Sequence, residues 1–268
     1  SRGLGDVYKR QSLTLSIVKH HGVLEGFMTH PKTVVYLEHD GKVLLVDVEG
    51  NGPMKPVNGR ILETESILRF PTVAEVDEMD IKFEQKRTIS IKFDGIKYEV
   101  IKAYPKISWP KDWAWKDNVF TDNLIHPIVR ESIYRSIHRL VSKVIIRNSM
   151  GEILLAKVKR GHFSGYWSLP GGYMDHDEHP SIGCVRETLE ELGIDITLDQ
   201  STPVITQKIF NDDGISFVSF TYQSLWEGDI SELRLQSEEI EEAKWFTLDD
   251  AKRIAVSYFD SEALKRTD

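Results

Sequence analysis

The sequence predicts an α/β chain in two parts: a mainly β N-terminal region, then a C-terminal half in which strands surround one strongly acidic helix. Three observations carry this. Hairpin signals recur through the first hundred residues, the glutamates of residues 187–191 share a face of a helix bracketed by Pro180 and Gly193, and strand-like runs follow that helix. At 268 residues the chain is long for one average domain and comfortable for two.

The elements can be justified in order. Residues 1–11, SRGLGDVYKRQ, carry no initiating Met and are expected to be a non-native or disordered leader outside the fold. A mainly β domain of unassigned role is expected over 12–139. In it Thr33–Leu37 and Lys42–Val48 flank His39-Asp40-Gly41 as a hairpin, and Thr88–Phe93 and Lys97–Lys102 flank Asp94-Gly95, the strongest short turn signal in the chain. Pro105 and Pro110 make the stretch containing Trp109, Trp113 and Trp115 a loop. Its tryptophans fit a stacking platform for bases, but packing at an interface is the simpler reading. Ile128 to Leu140 has helical spacing, and the second domain, 140–268, is expected to begin near Leu140.

From there Val144–Ile146 and Ile153–Val158 flank Asn148-Ser149-Met150-Gly151 as a further hairpin. VVYLEHDGKVLLVDVEG and VIIRNSMGEILLAKVKR echo each other with Gly41 over Gly151; internal duplication and the common chemistry of hairpins both account for that. After Gly59 nothing corresponds to the acidic helix. That helix starts at His179-Pro180 and stops at Gly193, where Pro and Gly are expected. Ile182, Val185, Leu189 and Leu192 are expected to form its buried stripe. Glu187, Glu190 and Glu191, at i, i+3 and i+4, then lie nearly opposite. Like charges so placed destabilise a helix unless something neutralises them, and hard oxygen donors suit magnesium or manganese. A plain solvated acidic face is the competing explanation.

The full spacing decides between the two. Gly172, five residues, Glu178, seven residues, Arg186-Glu187, two residues, Glu190-Glu191, one residue, then Gly193-Ile194 resembles the Nudix box. Its fixed letters at typical usage would coincide by chance at about 10⁻⁸ per starting position. Trp167-Ser168-Leu169-Pro170-Gly171-Gly172 resembles the segment that leads into the box, and only Thr188 departs, where an aliphatic is usual.

The resemblance covers about 140–268 and implies a Nudix-type α/β/α sandwich with a mixed sheet. It implies hydrolysis of a diphosphate bond in a nucleoside diphosphate derivative by water attack at phosphorus, with Mg²⁺ or Mn²⁺. Glu187, Glu190, Glu191 and the Gly171 carbonyl would hold the metal. Arg186 and Glu178 would brace loop against helix, and Gly172 would permit a backbone shape closed to other residues. The general base would be a box glutamate or a later acid, Glu238 or Glu239, with Glu239 the preferred later acid. Lys157, Lys159, Arg160 and His162 are candidates for phosphate contact. A histidine metal site at His176 and His179 is disfavoured, and Cys184 is most simply a packing residue. The alternative is a nucleotide-sensing module without catalysis, which usually carries a damaged box; the acidic set here is complete. Isopentenyl-diphosphate isomerisation is weaker, because it needs a catalytic cysteine that Cys184 does not match. Nucleoside triphosphates, ADP-ribose-like compounds and nucleotide sugars all remain open as substrates.

Bulk properties fit. The net charge of -8 disfavours a nucleic-acid partner, and no apolar run reaches the roughly 20 residues that span a bilayer. One cysteine permits no internal disulfide, so a cytoplasmic setting is expected. For the N-terminal region, gating, homodimer formation and a catalytically dead sibling domain are the open roles.

Overall fold

The computed structural model describes residues 31–60, 67–161, 163–210 and 214–267. The leader at 1–11 and His162 lie outside the described residues. The chain divides into two compact units between Tyr134 and Arg135.

In the first unit β1 (Thr33–His39) turns into β2 (Lys42–Val43) through Asp40 and Gly41, both at positive φ. The short helix α1 (Val73–Glu78) follows, capped by Thr72 and Glu75 in a reciprocal box. A long hairpin, β3 (Phe83–Phe93) and β4 (Ile96–Pro105), turns at Asp94 and Gly95, again both at positive φ, as its Asp-Gly signal requires. Then come β5 (Ala114–Trp115) and helix α2 (Pro127–Ser136). The sheet order is β3-β4-β1-β2-β5, with β1 parallel to β4 and every other pair antiparallel. Central strand β1 buries Val34 and Tyr36 on one face with Ile128 and Ile133 of α2, and Val35 and Leu37 on the other with Val76 of α1. A strand covered on both faces is why this run is continuously apolar rather than alternating. Trp113 joins that core, while Trp109 and Trp115 are exposed and flank the Lys42 ammonium at 4.9 and 5.2 Å from their ring centres.

Helix α2 ends at Ser136 rather than reaching Leu140, and Leu140 lies in the following strand. Neighbouring residues of an extended strand can mimic one helical turn in an apolar pattern this short.

The second unit contains β6 (Arg139–Arg147), β7 (Ile153–Val158), β8 (Trp167–Ser168), β9 (Gly171–Tyr173), helix α3 (Pro180–Leu192), β10 (Val204–Ile209), β11 (Ser216–Leu225), β12 (Ile240–Phe246), α4 (Leu248–Ile254) and α5 (Tyr258–Leu264). The main sheet order is β10-β11-β6-β7-β12, with β6 parallel to β11 and the other pairs antiparallel; β8 pairs with β7 and β9 with β6. One face buries Val144, Ile146, Leu154 and Ala156 with Cys184 and Leu192 of α3. The other buries Ile145, Ile153, Leu155 and Leu169 with Ala251 of α4 and Ala263 and Leu264 of α5. Helices on both sides of a mixed sheet make the α/β/α sandwich.

Taken strand for strand, the two units have the same sheet order and the same strand directions. In each, a helix sits between the first hairpin and the second. The sequence echo placing Gly41 over Gly151 therefore aligns equivalent hairpin tips, with φ +81 and +79. Among the described residues no helix is long and apolar enough to cross a membrane.

Candidate active site

The site is built on α3 and on the strand segment that passes its side. His179 caps the helix by accepting from the Ser181 amide at 3.3 Å, Pro180 opens it, and Gly193 closes it at φ +70. The buried stripe is not the expected one. Ile182 and Leu189 are 60% and 50% exposed; the sheet instead receives Cys184 and Leu192, with Thr188 buried and Val185 half-buried on that side, while Gly183 is buried against the Glu178 carboxylate. Helical periodicity alone cannot choose between two adjacent stripes when small residues occupy one of them. Small residues win here because helix and sheet approach closely. Thr188, fully buried, returns its hydroxyl to the Cys184 carbonyl at 2.8 Å, so its polarity is satisfied within the helix.

This rotation brings Glu187 and Glu191 to the sheet side rather than opposite it. Glu191 accepts from the Gly171 amide at 2.9 Å. Burial pushes its carboxyl up to about 8, against the opposing pull of the Gly171 hydrogen bond; Glu187 raises it further and the Lys143 charge lowers it. Glu187 is raised as well, by burial first, with Arg186 opposing and Glu190 and Glu239 adding to it. Glu190 stands more exposed.

Arg186 is the hub. It grips Glu178 twice, at 3.0 and 2.6 Å, donates to Glu187 at 2.8 Å and to Glu190 at 3.4 Å, and reaches the Tyr173 carbonyl at 3.1 Å. Its hydrogen bonds hold the Glu178 carboxyl below the ordinary range. Glu178 also accepts from the Asp175 amide at 2.8 Å, closing the loop onto the helix.

The two glycines divide the work differently from expectation. Gly172 does not sit in the left-handed region; its lack of a side chain makes room for the Glu187 carboxylate. Gly171 is the one with the unusual backbone, at φ +131, where a Cβ would collide with the Ser142 carbonyl and the Lys143 backbone.

The basic residues upstream are engaged with the chain itself. Lys157 pairs with Glu241 at 2.9 Å, Lys159 donates to the Ser237 carbonyl at 2.7 Å, and Arg160 pairs with Glu239. Glu239 is thereby tied to the hairpin and still close enough for its charge to act on Glu187 and Glu191. Glu238 is exposed, and so is His176. Cys184 is buried, its thiol pushed up to about 12 by burial, which leaves it a packing residue rather than a nucleophile.

Among the described residues no three acidic, histidine or cysteine side chains converge as a finished metal cage. The donor set nevertheless fits a hard cation. Glu187 and Glu190 are turned onto Arg186, Glu191 onto Gly171, and the crowded carboxylates raise one another.

A group that sequence reasoning missed lies behind Gly171. Lys143, Ser168 and Asp260 form a buried hydrogen-bonded cluster. A lysine inside the apolar run of β6 was the available signal.

An acidic helix set against a Gly-Gly strand, at one side of a mixed sheet enclosed by helices, defines an α/β/α domain of the box-bearing class. The sequence profile of the NUDIX domain matches residues 137–266. An 8-oxo-dGTP diphosphatase from Proteus vulgaris is 33% identical over 73 residues, 27% of this chain and 63% of that protein. A MutT-like protein from Streptomyces ambofaciens is 39% identical over 64 residues, 24% of this chain and 39% of that one. The chain thus spans less than two thirds of either curated relative. The crystal structure of a MutT NUDIX hydrolase from Burkholderia pseudomallei is 30% identical, covering 49% of this chain and 99% of that one at a TM-score of 0.43. Through its residues 137–266 the chain belongs to the NUDIX family.

Proposed function

We propose that this protein hydrolyses a diphosphate bond in a nucleoside diphosphate derivative, by water attack at phosphorus, with Mg²⁺ or Mn²⁺. The observation that carries the reading is the desolvated pair Glu187 and Glu191 beside Gly171 and Gly172, with Arg186 joining Glu187 and Glu190 to Glu178. Glu187, Glu190, Glu191 and the Gly171 carbonyl would hold the cations. Such ions, when bound, activate water and neutralise charge on phosphoryl oxygens.

The chain's own residues supply the rest. Arg186 keeps the glutamates in place and ties the loop through Glu178. Lys157 and Arg160, paired with Glu241 and Glu239, would exchange those partners for substrate phosphates. Glu239, released from Arg160, has a carboxylate near the box to accept a proton. Tyr173 follows Gly172 directly and leads an aromatic series through Phe217 at 6.0 Å to Phe210 at 5.5 Å and Phe259 at 6.3 Å, with Lys208 over Tyr258. That series suits a nucleobase, and with the name of the Proteus vulgaris relative, an 8-oxo-dGTP diphosphatase, it favours a nucleoside triphosphate.

The test is a Mg²⁺-dependent screen against nucleoside triphosphates, ADP-ribose and nucleotide sugars, with products identified by mass. Release of a nucleoside monophosphate that stops on chelation is expected. A panel left intact with either metal present overturns the reading.

A further inference from the structure

We propose that Asp260, on the last helix, is a positioning residue for the Gly171 side of the box; this rests on the hydrolase reading above. Three donors converge on its carboxylate. The Lys143 ammonium reaches Oδ1 at 2.6 Å, while the Ser168 hydroxyl at 2.8 Å and the Leu169 amide at 3.0 Å share Oδ2. Lys143 also donates to the Ser168 hydroxyl at 2.8 Å, which closes the cluster. The Asp260 side chain has 0% exposure and that of Lys143 10%.

Placement gives this cluster its role. Leu169 is two residues before Gly171, whose amide meets Glu191 at 2.9 Å. Lys143 is the strand partner of Gly171 in the β6–β9 register, and Pro170 accepts from the Val144 amide at 3.0 Å. The segment 168–171 is therefore clamped from both sides: by β6 along its backbone and by Asp260 of α5 at its start. Gly171 stands at φ +131 with no room for a Cβ, a backbone shape that only glycine can take here. The pairing with β6 holds Gly171 itself. The Asp260 carboxylate, from a helix remote in sequence, holds the Leu169 amide that leads into it.

A buried ion pair replaced by apolar residues of similar size is often neutral for stability, whereas removal of one partner strands the other charge. Paired substitutions are therefore the proper probe. Lys143→Met with Asp260→Leu removes the charge pair and every acceptor for the Leu169 amide. Lys143→Met with Asp260→Asn removes the charges but keeps an oxygen for that amide. Three readouts are compared with the wild-type chain: circular dichroism melting, Mn²⁺ binding by electron paramagnetic resonance, and hydrogen exchange of the peptide containing residues 168–173.

The leucine pair is expected to melt as a folded protein, exchange faster at 168–173, and bind Mn²⁺ roughly tenfold more weakly, the scale of lost support around a metal site. The asparagine pair is expected to regain most of that affinity. A folded leucine pair with wild-type Mn²⁺ affinity and wild-type exchange overturns the proposal. Should the leucine pair not fold, Ser168→Ala is read instead: Mn²⁺ affinity weakened about threefold upholds the role, and an unchanged affinity overturns it. A wild-type chain that binds no Mn²⁺ and cleaves no nucleotide overturns the hydrolase reading itself, and the positioning role with it. Wild-type activity beside an unaffected leucine pair overturns the positioning role alone.

Discussion

Individual residues carry the chemistry through very small tolerances. Gly172 illustrates this: an added methyl group would occupy space now held by the Glu187 carboxylate, the mobile end of a flexible side chain. Gly172→Ala should therefore fold with little change in melting temperature, yet weaken Mn²⁺ binding about tenfold by displacing Glu187. Calorimetric titration would check it, and unchanged affinity would place Glu187 outside the metal set. Glu190 is exposed enough that Glu190→Gln should leave folding intact while turnover falls by about two orders of magnitude or more. Retained Mg²⁺-dependent cleavage by that variant would remove Glu190 from the proposed centre. These acids were legible in the sequence because the box is a local pattern, all within one loop and one helix. The Lys143–Asp260 pair was not, since its partners lie more than a hundred positions apart and nothing local joins them.

At the scale of the element, helix α3 shows where pattern reasoning reaches its limit. Both ends were readable from Pro180 and Gly193, because capping is decided by residues adjacent in sequence. Its rotation about its own axis was not. The stripe of large apolar residues faces solvent at Ile182 and Leu189, and the smaller Cys184 and Thr188 are buried on the sheet side. Close approach of helix and sheet selects for size there, not hydrophobicity alone. Thr188→Val, which keeps the branched shape and deletes a hydroxyl bonded only within the helix, should change stability by less than about 1 kcal/mol. Denaturant titration measures it, and a larger loss would mean that the hydroxyl serves more than its own helix.

At the scale of the molecule, the described residues form two sheets of one topology, and the acidic helix packs on the second. In the first unit the corresponding helix, α1, has a single glutamate near its start, and Glu75 is committed to Arg69, which donates to it at 2.8 and 2.5 Å. Hydrogen bonding by Arg69 is the leading cause that lowers the Glu75 carboxyl from 4.5 to about 2. Because the folded value lies below the unfolded one, the stabilisation is complete above about pH 4.5 and is lost as pH falls toward 2. Glu75→Gln should thus destabilise the first unit by about 1–3 kcal/mol at neutral pH. The gap from wild type should close between pH 4.5 and 2, while nucleotide turnover stays unchanged. Urea unfolding across that range, beside the activity assay, checks both halves, and lost turnover would bring the first unit into the reaction.

The sequence by itself determined the hairpin turns at Asp40-Gly41 and Asp94-Gly95, the ends of the box helix, and the identity of its acidic residues, because each depends on neighbours along the chain. Tertiary structure alone decided which face of α3 is buried, which of two glycines bears the unusual backbone, and that both halves share one strand order. It also decided that a lysine and an aspartate from distant segments meet behind the site. Those outcomes depend on what lies across a sheet or beneath a helix, and packing selects them through size, burial and charge that no local pattern records.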